Sequence, residues 1–108
     1  MTLTFQINYR AEYGQTLCVI ETKPSILGWT PEKPLLLSCQ GPDFWSATIP
    51  VSDFAGEICY KYAIRLQDGG YMYESGEPRV LTLRNTDKHL VIRDAWQVDD
   101  YEKSFYTT

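Results

Sequence analysis

The chain is poor in the side chains that do most enzymatic chemistry. Its 108 residues hold a single histidine, His89, and three cysteines, Cys18, Cys39 and Cys59. One imidazole cannot build a histidine-rich metal site, and the cysteines lack the C-x-x-C spacing of zinc or redox centres. No acidic stretch has calcium-loop spacing. There is no G-x-S-x-G, no Cys or Ser is spaced as a partner for His89, and no glycine pattern matches a phosphate cradle. A pair of carboxylates facing each other across a cleft, as glycoside hydrolysis needs, is not evident either. Catalytic residues, metals and cofactors are therefore expected to be none.

Basic charge is also scarce. Ten Lys and Arg stand against fourteen Asp and Glu, a net charge of −4, with no basic cluster. Nucleic acid and anionic membrane both reward a positive patch, so neither is expected as a partner, and a neutral ligand fits better. No apolar run approaches the ~20 residues of a membrane span. The start, Thr4-Phe5-Gln6-Ile7-Asn8-Tyr9, alternates as a strand rather than showing a basic-then-apolar signal segment, so a cytoplasmic chain is expected. The odd cysteine count agrees, and Cys18 and Cys59 read as small buried hydrophobes within apolar strand patterns.

Helical periodicity is missing too, in every window of eleven or more residues. What is abundant is aromatic surface: eight Tyr and three Trp, within a 14% aromatic share. Short strand signals recur over residues 3–10, 16–20, 35–38, 44–49, 80–83 and 89–93, with turn residues between them. The stretch from Cys59 to Arg79 reads as a hairpin that turns at Asp68-Gly69-Gly70 and returns to Glu74, because glycine supplies the positive φ of a twisted two-strand connection. Together these signals predict an all-β fold, an antiparallel immunoglobulin-like β-sandwich of seven to eight strands. Residues 1–96 form the expected domain, and the polar stretch 97–108 reads as a linker to a following catalytic domain of the same polypeptide.

Lys61, Tyr73, Glu74 and Arg79 put flat aromatic surface beside charged hydrogen-bonding groups, the chemistry that holds a sugar ring by its apolar face and its hydroxyl rim. Lys61 alternates against Tyr60 and Tyr62 and so faces away from whatever those tyrosines pack. Trp45 and Trp96 lie in or beside apolar strands and are expected in the core. Trp29, in a loop between Gly28 and Pro31, is expected to be exposed.

Tyr13-Gly14-Gln15, Leu27-Gly28-Trp29, Trp45 ahead of a strand closing at Pro50, Tyr60-Lys61-Tyr62, Tyr73-Glu74, Arg79 and Arg93-Asp94-Ala95-Trp96 follow one another in register. In that order the chain resembles a starch-binding domain of carbohydrate-binding module family 20 over residues 3–96. The resemblance implies a noncatalytic module for α-1,4-glucans such as starch, glycogen, maltodextrin or cyclodextrin. It places Trp29 and Tyr73 as two stacking rings, Lys61 and Glu74 at the hydroxyl rim, and Tyr13 on a second site. Tyr73 stands where tryptophan is usual, Pro78 where asparagine is common, and Glu21-Thr22 where Gly-Ser is usual, the last bearing on loop shape more than on sugar. The opening from Met1 and the acidic-aromatic tail also resemble the start of a 4-alpha-glucanotransferase of the amylomaltase type. A sandwich that has lost sugar binding and serves as a docking or spacer domain is the alternative.

Overall fold

Leu3, Phe5 and Ile7 alternate with Thr4 and Gln6, and the apolar set turns inward along β1 (Thr2–Asn8). The computed structural model describes residues 1–22, 26–52, 56–84, 86 and 88–97. Over these the chain forms β2 (Thr16–Glu21), β3 (Leu35–Leu36), β4 (Ser38–Gly41), β5 (Phe44–Pro50), β6 (Gly56–Arg65), β7 (Tyr71–Tyr73), β8 (Arg79–Leu83) and β9 (His89–Ala95). No helix occurs among the described residues. One sheet runs in the order β4-β5-β1-β9, and the other β3-β2-β6-β7 with β8 also pairing β6.

Among the described residues, nine strands replace the expected seven to eight because the stretch 35–38 divides. β3 pairs with β2, then the buried Leu37 passes the chain to the opposite sheet, where β4 pairs with β5. The pairing is antiparallel throughout except between the first and last strands, β1 and β9, which run parallel. β9 reaches β1 from the opposite sheet rather than through a hairpin, so no tight turn forces it to be antiparallel. The Asp68-Gly69-Gly70 turn forms as expected: Gly69 has φ +91° and the Gly70 amide donates to Asp68 Oδ1 at 2.8 Å.

The core gathers around Phe5. Its ring meets Trp29, Tyr60 and Tyr62 edge-on, with centroids 5.4, 5.1 and 6.4 Å away, the geometry that aromatic quadrupoles favour. Trp45 is buried as expected, its indole N–H donating to the Tyr9 carbonyl at 3.2 Å. Trp96 is only half-buried, tilted against Tyr9 at the rim of the core. β2 is buried on both faces. Leu17 and Val19 face the core, while Cys18 and Ile20 join Ala63 of β6 in a small outer cluster packed against Tyr71. Burial pushes the Cys18 thiol up to about 12, with Arg65 partly offsetting it, so Cys18 is inert. Cys59 is half-buried rather than buried, and Cys39 is exposed. Asn85 and Asp87 of the expected polar turn and residues 98–108 of the expected linker lie outside the described residues.

Candidate functional site

The outer face of the β2–β6–β7 sheet carries the exposed aromatic surface. β7 has β6 as its hydrogen-bonded neighbour, with Tyr73 opposite Ala63 and Tyr71 opposite Arg65. Residues two apart on a strand share a face, so both rings stand on the side away from the core. Tyr73 is 45% exposed and Tyr71 half-buried. Their rings lie 6.0 Å apart, inclined at 39°. The Tyr71 hydroxyl donates to the Pro31 carbonyl at 2.8 Å, which ties the β2–β3 loop to this face. Partial burial, followed by the neighbouring Tyr71, Cys18 and Glu32, raises the pKa of the Tyr73 hydroxyl. Lys61 is half-buried on the same side of β6, and its Nζ donates to the Glu74 carbonyl at 3.4 Å. An ammonium carries three donors, so this long bond leaves capacity for a ligand.

Glu74 does not reach a hydroxyl rim. It is 1% exposed. Oε1 accepts from the Tyr62 amide and from Arg79 Nε, both at 3.0 Å. Oε2 accepts from Arg79 Nη2 at 3.0 Å and from the Gln97 amide at 2.9 Å. Four donors fill a carboxylate's acceptor positions. Arg79 continues the network to Asp94 Oδ1 at 3.1 Å and to the Ala95 carbonyl, with its guanidinium over the Tyr62 ring. Asp94 Oδ2 accepts from the hydroxyls of Tyr60 and Tyr62 at 2.9 and 2.7 Å. The Glu74–Arg79–Asp94 chain thus joins β6, β7, β8 and β9 across both sheets. Burial would lower the Arg79 pKa, but the hydrogen bond and charge of Glu74, with Asp94, carry it above the usual value.

Burial first, and then Asp94, push the pKa values of Tyr60 and Tyr62 well above that of a free tyrosine. The folded chain therefore resists tyrosinate formation, while the unfolded chain ionises at about pH 10. The stabilisation is complete below that pH and is lost as pH rises above it, by about 1.4 kcal/mol per pH unit for each tyrosine. In an alkaline titration, Tyr60 and Tyr62 are expected to ionise only as circular dichroism reports loss of the sheet. Smooth ionisation of all tyrosines with the fold intact would contradict this.

Trp29 is withdrawn from the surface. It is 8% exposed, and its ring meets Phe5 in the core, on the opposite face of the sheet from Tyr73. The expected pair of Trp29 and Tyr73 is therefore not assembled. The cause lies in Glu21, a buried carboxylate at the end of β2. Its oxygens accept the amides of Ile26 at 2.8 Å, Leu27 at 2.9 Å and Trp29 at 3.0 Å. The Glu21 amide in turn donates to the Trp29 carbonyl at 2.8 Å, and Gly28, at φ +88°, makes the bend. This reciprocal pairing fixes Trp29 beside an inward-facing strand residue, so its indole follows inward.

Tyr13 is 97% exposed at the tip of the β1–β2 turn. Gly14 has φ +86°, and Gln15 closes the turn by donating its amide to the Glu12 carbonyl while its side-chain oxygen accepts the Glu12 amide. The phenol stands over a shallow hollow lined by Glu12, Gln15, Leu66, Gln67 and Asp68. Of the five expected residues, then, Tyr13, Tyr73 and Lys61 reach solvent, and Trp29 and Glu74 support the structure from beneath. Sequence reasoning missed Tyr71. The signal was available, because Tyr71 and Tyr73 flank Met72 and a strand repeats every two residues.

The description "starch binding domain" belongs to the family whose model matches residues 1–92. Among solved structures, the glucoamylase of Hypocrea jecorina superposes with a TM-score of 0.76 at 22% identity, over 90% of this chain and 17% of that one. Hormoconis resinae glucoamylase gives a TM-score of 0.71 at 29% identity, over 93% and 18% of the two chains. The family 20 module of a maltotetraose-forming amylase from Pseudomonas saccharophila STB07 gives 0.62 at 14% identity, over 85% of this chain and 100% of that module. The chain thus spans less than a fifth of the glucoamylases it resembles. A comparison with curated protein sequences finds no match. By fold and by family match together, the chain belongs to the starch-binding domains of carbohydrate-binding module family 20, noncatalytic modules that bind α-glucans such as starch.

Proposed function

We propose that this module binds α-1,4-glucan on the outer face of its second sheet. Tyr73 stacks on a sugar face, Lys61 donates to the hydroxyl rim, and Tyr13 offers a separate platform at the β1–β2 turn. One observation carries the reading: Tyr13 and Tyr73 turn their rings to solvent, whereas Tyr60 and Tyr62 are buried. Trp29 and Glu74 contribute by holding the β2–β3 loop and the end of β7. The ligand is a neutral sugar, in keeping with an acidic chain that lacks a basic cluster. In this reading the module tethers a glucan-processing enzyme, a 4-alpha-glucanotransferase of the amylomaltase type in the cytoplasm, to its substrate. The resemblance of the sequence to the start of such enzymes supports that context. Cell fractionation with an antibody to the module, followed by assay of captured material for glucan disproportionation, tests it.

Calorimetric titration with β-cyclodextrin, with a cellulose oligomer as control, tests the binding. Micromolar to low-millimolar affinity for cyclodextrin alone is expected, and loss of one equivalent of binding in Tyr13→Ala would separate the two platforms. Absence of heat with either sugar would overturn the reading. A docking role would then be favoured, centred on the apolar cleft between Ile26, Leu27 and Trp29 on one side and Ile49, Pro50 and Val51 on the other.

A further inference from the structure

We infer that Tyr71 supplies the second stacking ring of the sugar site, so that Tyr71 and Tyr73 together form a two-ring platform for consecutive α-1,4-linked glucose units. The inference rests on the reading that this module binds α-glucan. A single exposed phenol can stack on one pyranose, but register along a chain needs a second surface. Trp29 cannot provide it, because its indole lies in the core against Phe5. Tyr71 is on the same face of the same strand as Tyr73, with centroids 6.0 Å apart and planes inclined at 39°. Coplanar rings would suit a flat β-linked ribbon. Inclined rings suit a chain whose successive sugar faces turn, as α-1,4 linkage makes them do.

Tyr71 is also held in place before any ligand arrives. Its hydroxyl is anchored on the Pro31 carbonyl at 2.8 Å, and its ring packs against Cys18, Ile20 and Ala63. A ring already fixed loses little rotamer freedom on binding. The half-buried Lys61, whose Nζ donates to the Glu74 carbonyl next to Tyr73, stands at the platform's margin, where its ammonium can donate to sugar hydroxyls.

The test uses the 108-residue chain carrying Tyr13→Ala, which removes the other exposed platform, titrated with β-cyclodextrin and maltoheptaose. Tyr71→Leu keeps an apolar cover over Cys18 and Ala63 but has no flat face, and it is expected to weaken binding about tenfold or more, as truncation at a binding hot spot does. Tyr71→Phe keeps the ring and is expected to stay within about threefold of the parent, since only the exposed tether to Pro31 is lost. Nuclear Overhauser contacts from the Tyr71 ring to sugar C–H protons give a readout that needs no substitution. Parent-strength binding by Tyr71→Leu, or contacts from Tyr73 alone, would overturn the role of Tyr71 while leaving the functional reading intact. Loss of all binding in Tyr13→Ala would also overturn the platform, by placing binding at Tyr13. Absence of binding by the unmodified chain would instead overturn the functional reading, and the platform with it.

Discussion

Glu74→Gln is expected to destabilise the fold by about 3–5 kcal/mol, the effect of removing one partner from a buried ion pair. The carboxylate accepts two donors from Arg79 and two backbone amides. An amide in its place turns an NH2 group toward donors, leaving Arg79 with a half-buried charge that Asp94 alone must compensate. In a domain of this size each lost kcal/mol lowers Tm by roughly 4–8 °C. The change is therefore large enough to read directly by thermal or chemical denaturation. A double replacement, Glu74→Leu with Arg79→Met, is expected to recover part of the loss, because well-packed apolar groups often match a buried pair in stability. A Glu74→Gln chain that melted like the parent and lost only glucan binding would show the carboxylate to be a sugar ligand after all. Glu74 is both the residue that the resemblance places at the sugar and the keystone between β6, β8 and β9.

Trp29→Ala is expected to cost about 3–5 kcal/mol, as truncations of large aromatics in cores do. The indole fills the space beside Phe5 at the end of the sandwich, and alanine leaves it empty. Trp29→Phe keeps most of the volume and the edge-on contact, so it is expected to fold with a smaller penalty and to bind β-cyclodextrin as the parent does. Denaturation curves and titration of the two variants separate structure from recognition. If Trp29→Phe kept its stability but lost binding, the indole would be turning outward to meet the sugar, and the buried position would be one of two states.

Both results bear on how far residue type predicts role. The Leu27-Gly28-Trp29 loop has the composition of an exposed aromatic, yet Glu21 reverses it. A glutamate at the end of β2 gathers three loop amides, and the exchange of hydrogen bonds between Glu21 and Trp29 sets the loop's register on the strand. The glutamate itself is visible in the sequence. Its consequence for Trp29 was not legible, because the direction of a loop side chain depends on which backbone groups are paired beneath it. Glu74 misleads for a related reason. A carboxylate beside an exposed tyrosine looks available until Arg79, five residues along the chain, and Gln97 arrive on it from other elements.

The sequence alone determined the all-β class, the sandwich, the hairpin at Asp68-Gly69-Gly70 and the inward position of Trp45. These follow from alternation, turn chemistry and composition, which are local properties that a reader of the chain can count. Tertiary structure alone decided that Trp29 and Glu74 are internal, that β9 runs parallel to β1, and that residues 35–38 divide between two sheets. Each of these depends on which distant segment supplies a partner. Such partners are chosen when the two sheets close over Phe5, and no short window of sequence contains both members of the pair.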